Sequence, residues 1–321
     1  MELIVAPPAA SPARVEAPAR GTLTVALVQT RWHPDPEEHR RTLRDGIRTA
    51  AGAGAEVVFL PELTLSRYPA AIRPAGDATA TAEDLATGST CSFARDAARE
   101  SGIHVHASLF ERSPGEDGLG FNTAILLAPD GTLIGRRRKT HIPRTAGYYE
   151  DHYFRPGPAG PETYRPVDLA GRAQIGLPTC WDEWFPEVAR AYALAGADVL
   201  AYPTAICSEP DHPDFDTAPL WRQVIVGNGI ANGTFMVVPN RWGEEGLITF
   251  YGHSFISDPY GRILAEAPRA GDAVLVAPLD LDQRRDWLTL FPFLETRRPD
   301  TYDTLTRASE RSGATDARPR L

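Results

Sequence analysis

The sequence predicts a single α/β domain with two mixed sheets, and three observations carry that expectation. Strand-sized apolar runs alternate with helix-sized amphipathic ones from Leu23 to Leu281. Most of the strand runs lack a polar face, which implies burial on both sides. They are also too many to fit comfortably in one open sheet.

In chain order, Leu23 to Val28 reads as a strand. Pro36 to Ala53 reads as a helix with Leu43, Ile47 and Ala50 on one face. Val57 to Leu60 is a short buried strand. Ala82 to Ser101 reads as a helix and Ile103 to Leu109 as a strand. Thr123 to Ala128 and Thr132 to Arg137 flank Pro129-Asp130-Gly131, a hairpin signal. Ala173 to Ile175 is a strand, and Pro186 to Ala195 is the helix after it, with proline at its start. Val199 to Tyr202, a helix from about Leu220 to Ala231, and Thr234 to Val238 continue the alternation. Ser254 to Ser257 and Ile263 to Leu264 flank a second turn, Asp258-Pro259-Tyr260-Gly261. Lys139 to Thr163 shows no clear element, and long ordered loops are often functional. Arg284 to Leu294 is apolar for a terminal arm, expected on a partner subunit or on its own domain.

Composition narrows the class. With 42% apolar and 23% charged residues the chain reads as a soluble globular protein. A formal charge of -9 argues against nucleic-acid binding, which needs a basic footprint. Cys91, Cys180 and Cys207 form no metal or disulfide pattern, so a reducing, cytoplasmic setting is expected. No apolar run is long enough to span a membrane. Residues 1–20 are rich in Ala and Pro and are expected to form a disordered extension. The domain is expected over 21–305, and a flexible tail over 306–321.

Chemistry concentrates at four positions. Cys180 falls where an apolar strand ends and a helix begins, at a turn whose N–H groups favour a thiolate. Glu62 follows the strand Val57 to Leu60, and is either a crevice carboxylate or a solvated loop residue. Lys139 ends the basic run Arg136-Arg137-Arg138-Lys139, which is either a surface run or part of a site. Glu150 lies among Tyr148, Tyr149, Tyr153 and Phe154, where a carboxyl has either a raised pKa or an outward path to water. Together these types suit attack of a thiol on an amide or ureido carbonyl. A carboxylate takes the proton, and an ammonium with a backbone N–H holds the oxyanion. That chemistry needs no cofactor or metal. His104 and His106 alternate on one strand face without a third ligand, and read as structural.

Leu60-Pro61-Glu62-Leu63, Arg138-Lys139-Thr140-His141-Ile142-Pro143 and Thr179-Cys180-Trp181-Asp182 resemble the three signature segments of the nitrilase superfamily of carbon–nitrogen hydrolases. The resemblance covers about Leu23 to Leu305. It implies a four-layer α-β-β-α sandwich and subunits that self-associate as a homodimer or higher homo-oligomer. It also implies Glu62 as general base, Lys139 as oxyanion stabiliser, Cys180 as nucleophile and Glu150 as the second glutamate.

Within the superfamily the sequence most resembles the N-carbamoylputrescine amidases. The shared runs are Cys180 to Glu187, Tyr202 to Pro210 and Ile248 to Ile256. It departs from them at Leu63 to Tyr68, at Asn228 and at Pro178. The expected substrate is a small amide or carbamoyl compound. Trp181, Glu183, Trp184, Tyr68 and Glu209 are expected to bind it. Glu183 and Trp184 suit an amine tail better than a carboxylate. Asp211 would add to that acidity, whereas Arg67 and Arg241 would favour an acid if they faced the pocket. An aliphatic or ω-amidase, an N-carbamoyl amino acid hydrolase and a nitrilase would use the same four residues. A non-catalytic binding subunit on the same fold is the remaining alternative.

Overall fold

A computed structural model describes residues 1–113, 115 and 117–307. Its strands are β1 (Glu2–Val5), β2 (Thr22–Gln29), β3 (Val57–Phe59), β4 (His104–Glu111), β5 (Phe121–Leu127), β6 (Leu133–Arg138), β7 (Val167–Asp168) and β8 (Gln174–Gly176). They continue with β9 (Val199–Ala201), β10 (Phe235–Val238), β11 (Trp242–Glu244), β12 (Thr249–Tyr251), β13 (Phe255–Ser257), β14 (Ile263–Glu266) and β15 (Ala273–Asp280). The α-helices are α1 (Pro36–Gly52), α2 (Ser89–Ser101), α3 (Pro186–Leu194), α4 (Ala218–Asn232) and α5 (Asp282–Leu290).

The strands form two mixed sheets, ordered β1-β15-β2-β3-β4-β5-β6 and β14-β13-β10-β9-β8-β7, with β11 and β12 as a separate hairpin. Period-two alternation builds the layers. In β2, Val25 and Leu27 face the second sheet and pack with Ile175, Val199 and Val237. Ala26 and Val28 face α1 and α2 and pack with Leu43, Ile47 and Phe93. On the outer face of the second sheet, Leu200 and Met236 pack with Val188 of α3 and with Trp221 and Ile225 of α4. The result is the α-β-β-α sandwich, with strands apolar on both faces because each sheet is covered twice.

Several expectations need correction. Residues 1–20 are not a disordered extension. Strand β1 pairs in parallel with β15, from Glu2 against Ala273 to Val5 against Val276. It covers an edge that would otherwise leave backbone groups unpaired. The following strap is fastened to α5. Ser11 donates to Asp286 at 2.7 Å, and Gln283 donates to the Ala9 carbonyl at 2.8 Å. The Ala19 and Arg20 N–H groups donate to Asp282 at 2.8 and 2.9 Å. Composition hid this because every partner lies far along the chain.

The second predicted helix starts at Ser89, not Ala82. The Glu83 backbone is drawn into a bridge with the end of β4, donating to the Phe110 carbonyl at 2.7 Å. Its carboxylate accepts the Thr90 N–H at 2.6 Å, in the first turn of α2. Lys139 to Thr163 contains one helical turn, Glu150–His152. The terminal arm packs on its own domain. Arg284 donates to the carbonyls of Ala193, Asn232 and Gly233, and Trp287 to that of Ile230. Residues 308–321, most of the expected tail, lie outside the described residues. No helix among the described residues is long and apolar enough to cross a membrane.

Candidate active site

The site lies at the carboxyl ends of strands from both sheets. Glu62 stands just beyond β3, Lys139 follows β6, and Cys180 opens the helical turn Cys180–Trp184 between β8 and α3. Glu150 begins the lone turn of the long loop. All four side chains are buried.

Lys139 is the centre of the arrangement. Its Nζ lies 2.9 Å from Glu62 Oε1 and 2.9 and 2.7 Å from the two oxygens of Glu150. Glu62 also accepts from Asn122 Nδ2 at 2.7 Å and from the Ala205 N–H at 2.9 Å. Glu150 accepts from Tyr68 OH at 2.8 Å. Burial works against the charge on Lys139, but Glu150 and Glu62 outweigh it and hold the ammonium protonated far above its ordinary range. Burial pushes Glu150 up to about 7 against the pull of Lys139.

Cys180 has φ 38°, a left-handed conformation that costs a β-substituted residue about 1–3 kcal/mol and recurs where function fixes the backbone. Its own N–H is engaged by the Pro203 carbonyl at 3.0 Å. The thiol is not tuned toward thiolate as expected from its turn. Burial raises its pKa well above the usual thiol value, Glu62 raises it further, and Lys139 offsets only part. The resting group is therefore a neutral thiol beside a carboxylate, which requires a base to activate it.

Asp182, two residues further on, joins the two sides of the site. It accepts the Thr179 N–H at 3.1 Å and the His141 N–H at 2.9 Å, and lies 2.7 Å from His141 Nδ1. The His141 ring stacks on Phe185 with centroids 3.7 Å apart, which helps to order the loop that follows Lys139. Asn122, Asp182 and the Ala205 N–H were not anticipated in these roles. The Thr179-x-x-Asp182 spacing, half of a capping box, was the one local signal for any of them.

The predicted binding residues divide. Glu183 is fully buried beside the thiol. Trp181 and Trp184 are half-buried, with ring centroids 6.3 Å apart. The Tyr68 hydroxyl is committed to Glu150, so it positions that carboxyl rather than awaiting a ligand. Glu209 is half-buried at 3.4 Å from Thr217, with no bond to the Lys139 group, and Asp211 is exposed. Arg241 does not offer its charge to a substrate. It donates to the carbonyls of Glu62, Leu63 and Ser66 and pairs with Glu245 at 2.8 Å, bracing the loop that carries Glu62. Arg67 is exposed. Cys207 is buried with its Sγ 3.0 Å from Tyr148 OH, and Cys91 is buried on the inner face of α2. His106 is buried against Phe59.

Two glutamates, a lysine and a cysteine gathered at the ends of facing sheets define a hydrolase of the carbon–nitrogen class. The family model described as carbon-nitrogen hydrolase matches residues 24–288, and the chain belongs to that family, within the nitrilase superfamily. It is 36% identical over 292 residues to a citrullinase from Francisella tularensis, covering 89% of this chain and 98% of that protein. It is 36% identical over 291 residues to an N-carbamoylputrescine amidase from Solanum lycopersicum, covering 88% and 94% of the two. Among solved structures, a carbon-nitrogen hydrolase from Helicobacter pylori G27 superposes with a TM-score of 0.80 at 29% identity. That match covers 89% of this chain and 99% of the other.

Proposed function

We propose that the chain hydrolyses an N-carbamoyl amine of the N-carbamoylputrescine type, giving free amine, ammonia and carbon dioxide. The observation that carries the mechanism is the Lys139 ammonium held between Glu62 and Glu150 beside a buried neutral thiol. The similarity to N-carbamoylputrescine amidases supports the substrate class.

Glu62 takes the Cys180 proton as sulfur bonds to the ureido carbon. Lys139, with the Trp181 N–H, stabilises the oxyanion that forms. Collapse breaks the bond to the amine nitrogen, which receives the proton from Glu62 and departs. A thiocarbamate remains on Cys180. Glu62 then activates water, whose attack returns the thiol and frees carbamate, which decomposes to ammonia and carbon dioxide. Glu150 keeps Lys139 charged and in place, and Tyr68 keeps Glu150 in place.

The test is a substrate panel with ammonia and carbon dioxide measured together. A carbamoyl amine yields both, whereas an ω-amide or nitrile yields ammonia alone. Turnover of simple amides with no ureido compound hydrolysed would reject the proposal.

A further inference from the structure

Glu183 has no task in that mechanism, yet it is fully buried and neither carboxyl oxygen has a hydrogen-bond partner among the described residues. Two polar groups near it also lack a hydrogen bond of normal geometry among the described residues, Trp221 Nε1 and Tyr251 OH, the latter lying close to Thr217. The Trp221 indole comes close enough to favour the ionised carboxyl without reaching bonding geometry, while burial pushes the Glu183 pKa well up. The backbone, by contrast, is fixed, since Asn228 Nδ2 donates to the Glu183 carbonyl at 2.9 Å. Trp221 packs its ring 5.5 Å from those of Tyr251 and Phe255, so the wall around the carboxyl is aromatic. Buried polar groups are otherwise almost always paired, and a cluster left open calls for a partner from outside the chain.

Charge decides what that partner is. Lys139 and Arg241 are the buried lysine and arginine among the described residues. Lys139 is committed to two glutamates, and Arg241 to backbone carbonyls and Glu245. No buried lysine or arginine is left to receive a carboxylate on the ligand, whereas a carboxyl and an aromatic wall both accept a cation.

We infer that Glu183, with Trp221 and Tyr251, receives the non-reacting end of the substrate, and that this end is a primary ammonium on an alkyl chain with no carboxylate beside it. This rests on the proposed hydrolysis of a ureido group.

The experiment measures kcat/KM on N-carbamoylputrescine, on N-butylurea, which lacks the ammonium, and on citrulline, which adds a carboxylate. The wild-type protein should prefer N-carbamoylputrescine at least tenfold over either. Glu183→Gln should shrink its preference over N-butylurea at least tenfold, chiefly through KM, and Glu183→Asp should restore part of it. Taking the ratio within each variant cancels any loss of folded protein. An unchanged ratio in Glu183→Gln, or citrulline turned over as well as N-carbamoylputrescine, would overturn the inference. If no ureido compound reacts, the hydrolysis reading fails on its own. The same ratio between 5-aminopentanamide and pentanamide then tests the ammonium receptor separately.

Discussion

Two clusters of opposite charges hold distant parts of this chain together, and they differ in almost everything except their chemistry. Around Lys139, three side chains that are at most 1% exposed share one proton-rich centre. Along the N-terminal strap, Arg14 and Arg20 keep 25% and 37% of their side chains exposed while pairing with aspartates of β15, of α5 and just before β9. In the first cluster little solvent screens the charges, so changing one group alters the state of all. In the second, the arginine side of each pair stays open to water and salt, so each pair is weaker than one enclosed on both sides. Burial, rather than the number of ion pairs, separates a reactive centre from a fastening.

The sharpest way to break that contrast is at the buried centre. Cys180→Ala should leave the fold intact and lower hydrolysis by at least about 10⁴-fold, followed by ammonia release. Lys139→Met strands two buried carboxyls. It should abolish turnover and cost about 3–5 kcal/mol in urea denaturation, whereas retained stability would show that the pairing contributes little.

A subtler probe is Tyr68→Phe, which removes one donor to Glu150 and should cost about 1 kcal/mol. Its signature is in the pH profile. Glu150 must be ionised to hold Lys139, so kcat/KM should fall as pH drops through about 7. The Tyr68 hydrogen bond favours the ionised form, so its loss should move that limb to higher pH. Since the folded-state pKa lies above the ordinary carboxylate value, the folded chain gains a proton at acid pH. Activity is therefore lost there without a matching loss of stability from this group.

At the strap, Arg20→Ala removes contacts of 2.6 and 2.8 Å to the buried Asp198. It should cost about 1–2 kcal/mol by denaturation and leave kcat/KM unchanged. The smallest effect belongs to the exposed Arg298–Asp300 pair, where Arg298→Ala should not move Tm measurably.

The same contrast explains what was legible in the sequence. Runs such as Leu23 to Val28 and Val57 to Leu60 declare themselves because each strand is apolar regardless of its partner. Glu62, Lys139, Cys180 and Glu150 are legible as spaced signatures of a family. Strand β1 is not, because Glu2 to Val5 is short and becomes a strand only against β15. Nor were β15 and α5 assigned from their own residues. Asn122, Asp182 and the Arg241–Glu245 brace acquire their roles only where separate segments meet. Tyr68 is legible as a residue near the site, but not the hydrogen bond of its hydroxyl to Glu150. Its sequence position carries the location, and only the fold supplies Glu150.

Asp182 has a consequence of a different kind. One carboxylate receives the segment after β6 and the turn after β8, elements that belong to different sheets. The site is thus a gauge of how the two sheets sit on each other. Heat that lets them slip along the apolar layer between them would part Cys180 from Lys139 while each sheet is still hydrogen-bonded. Inactivation should then set in at a lower temperature than the loss of far-ultraviolet dichroism, with the interval between them measuring the slack in that layer.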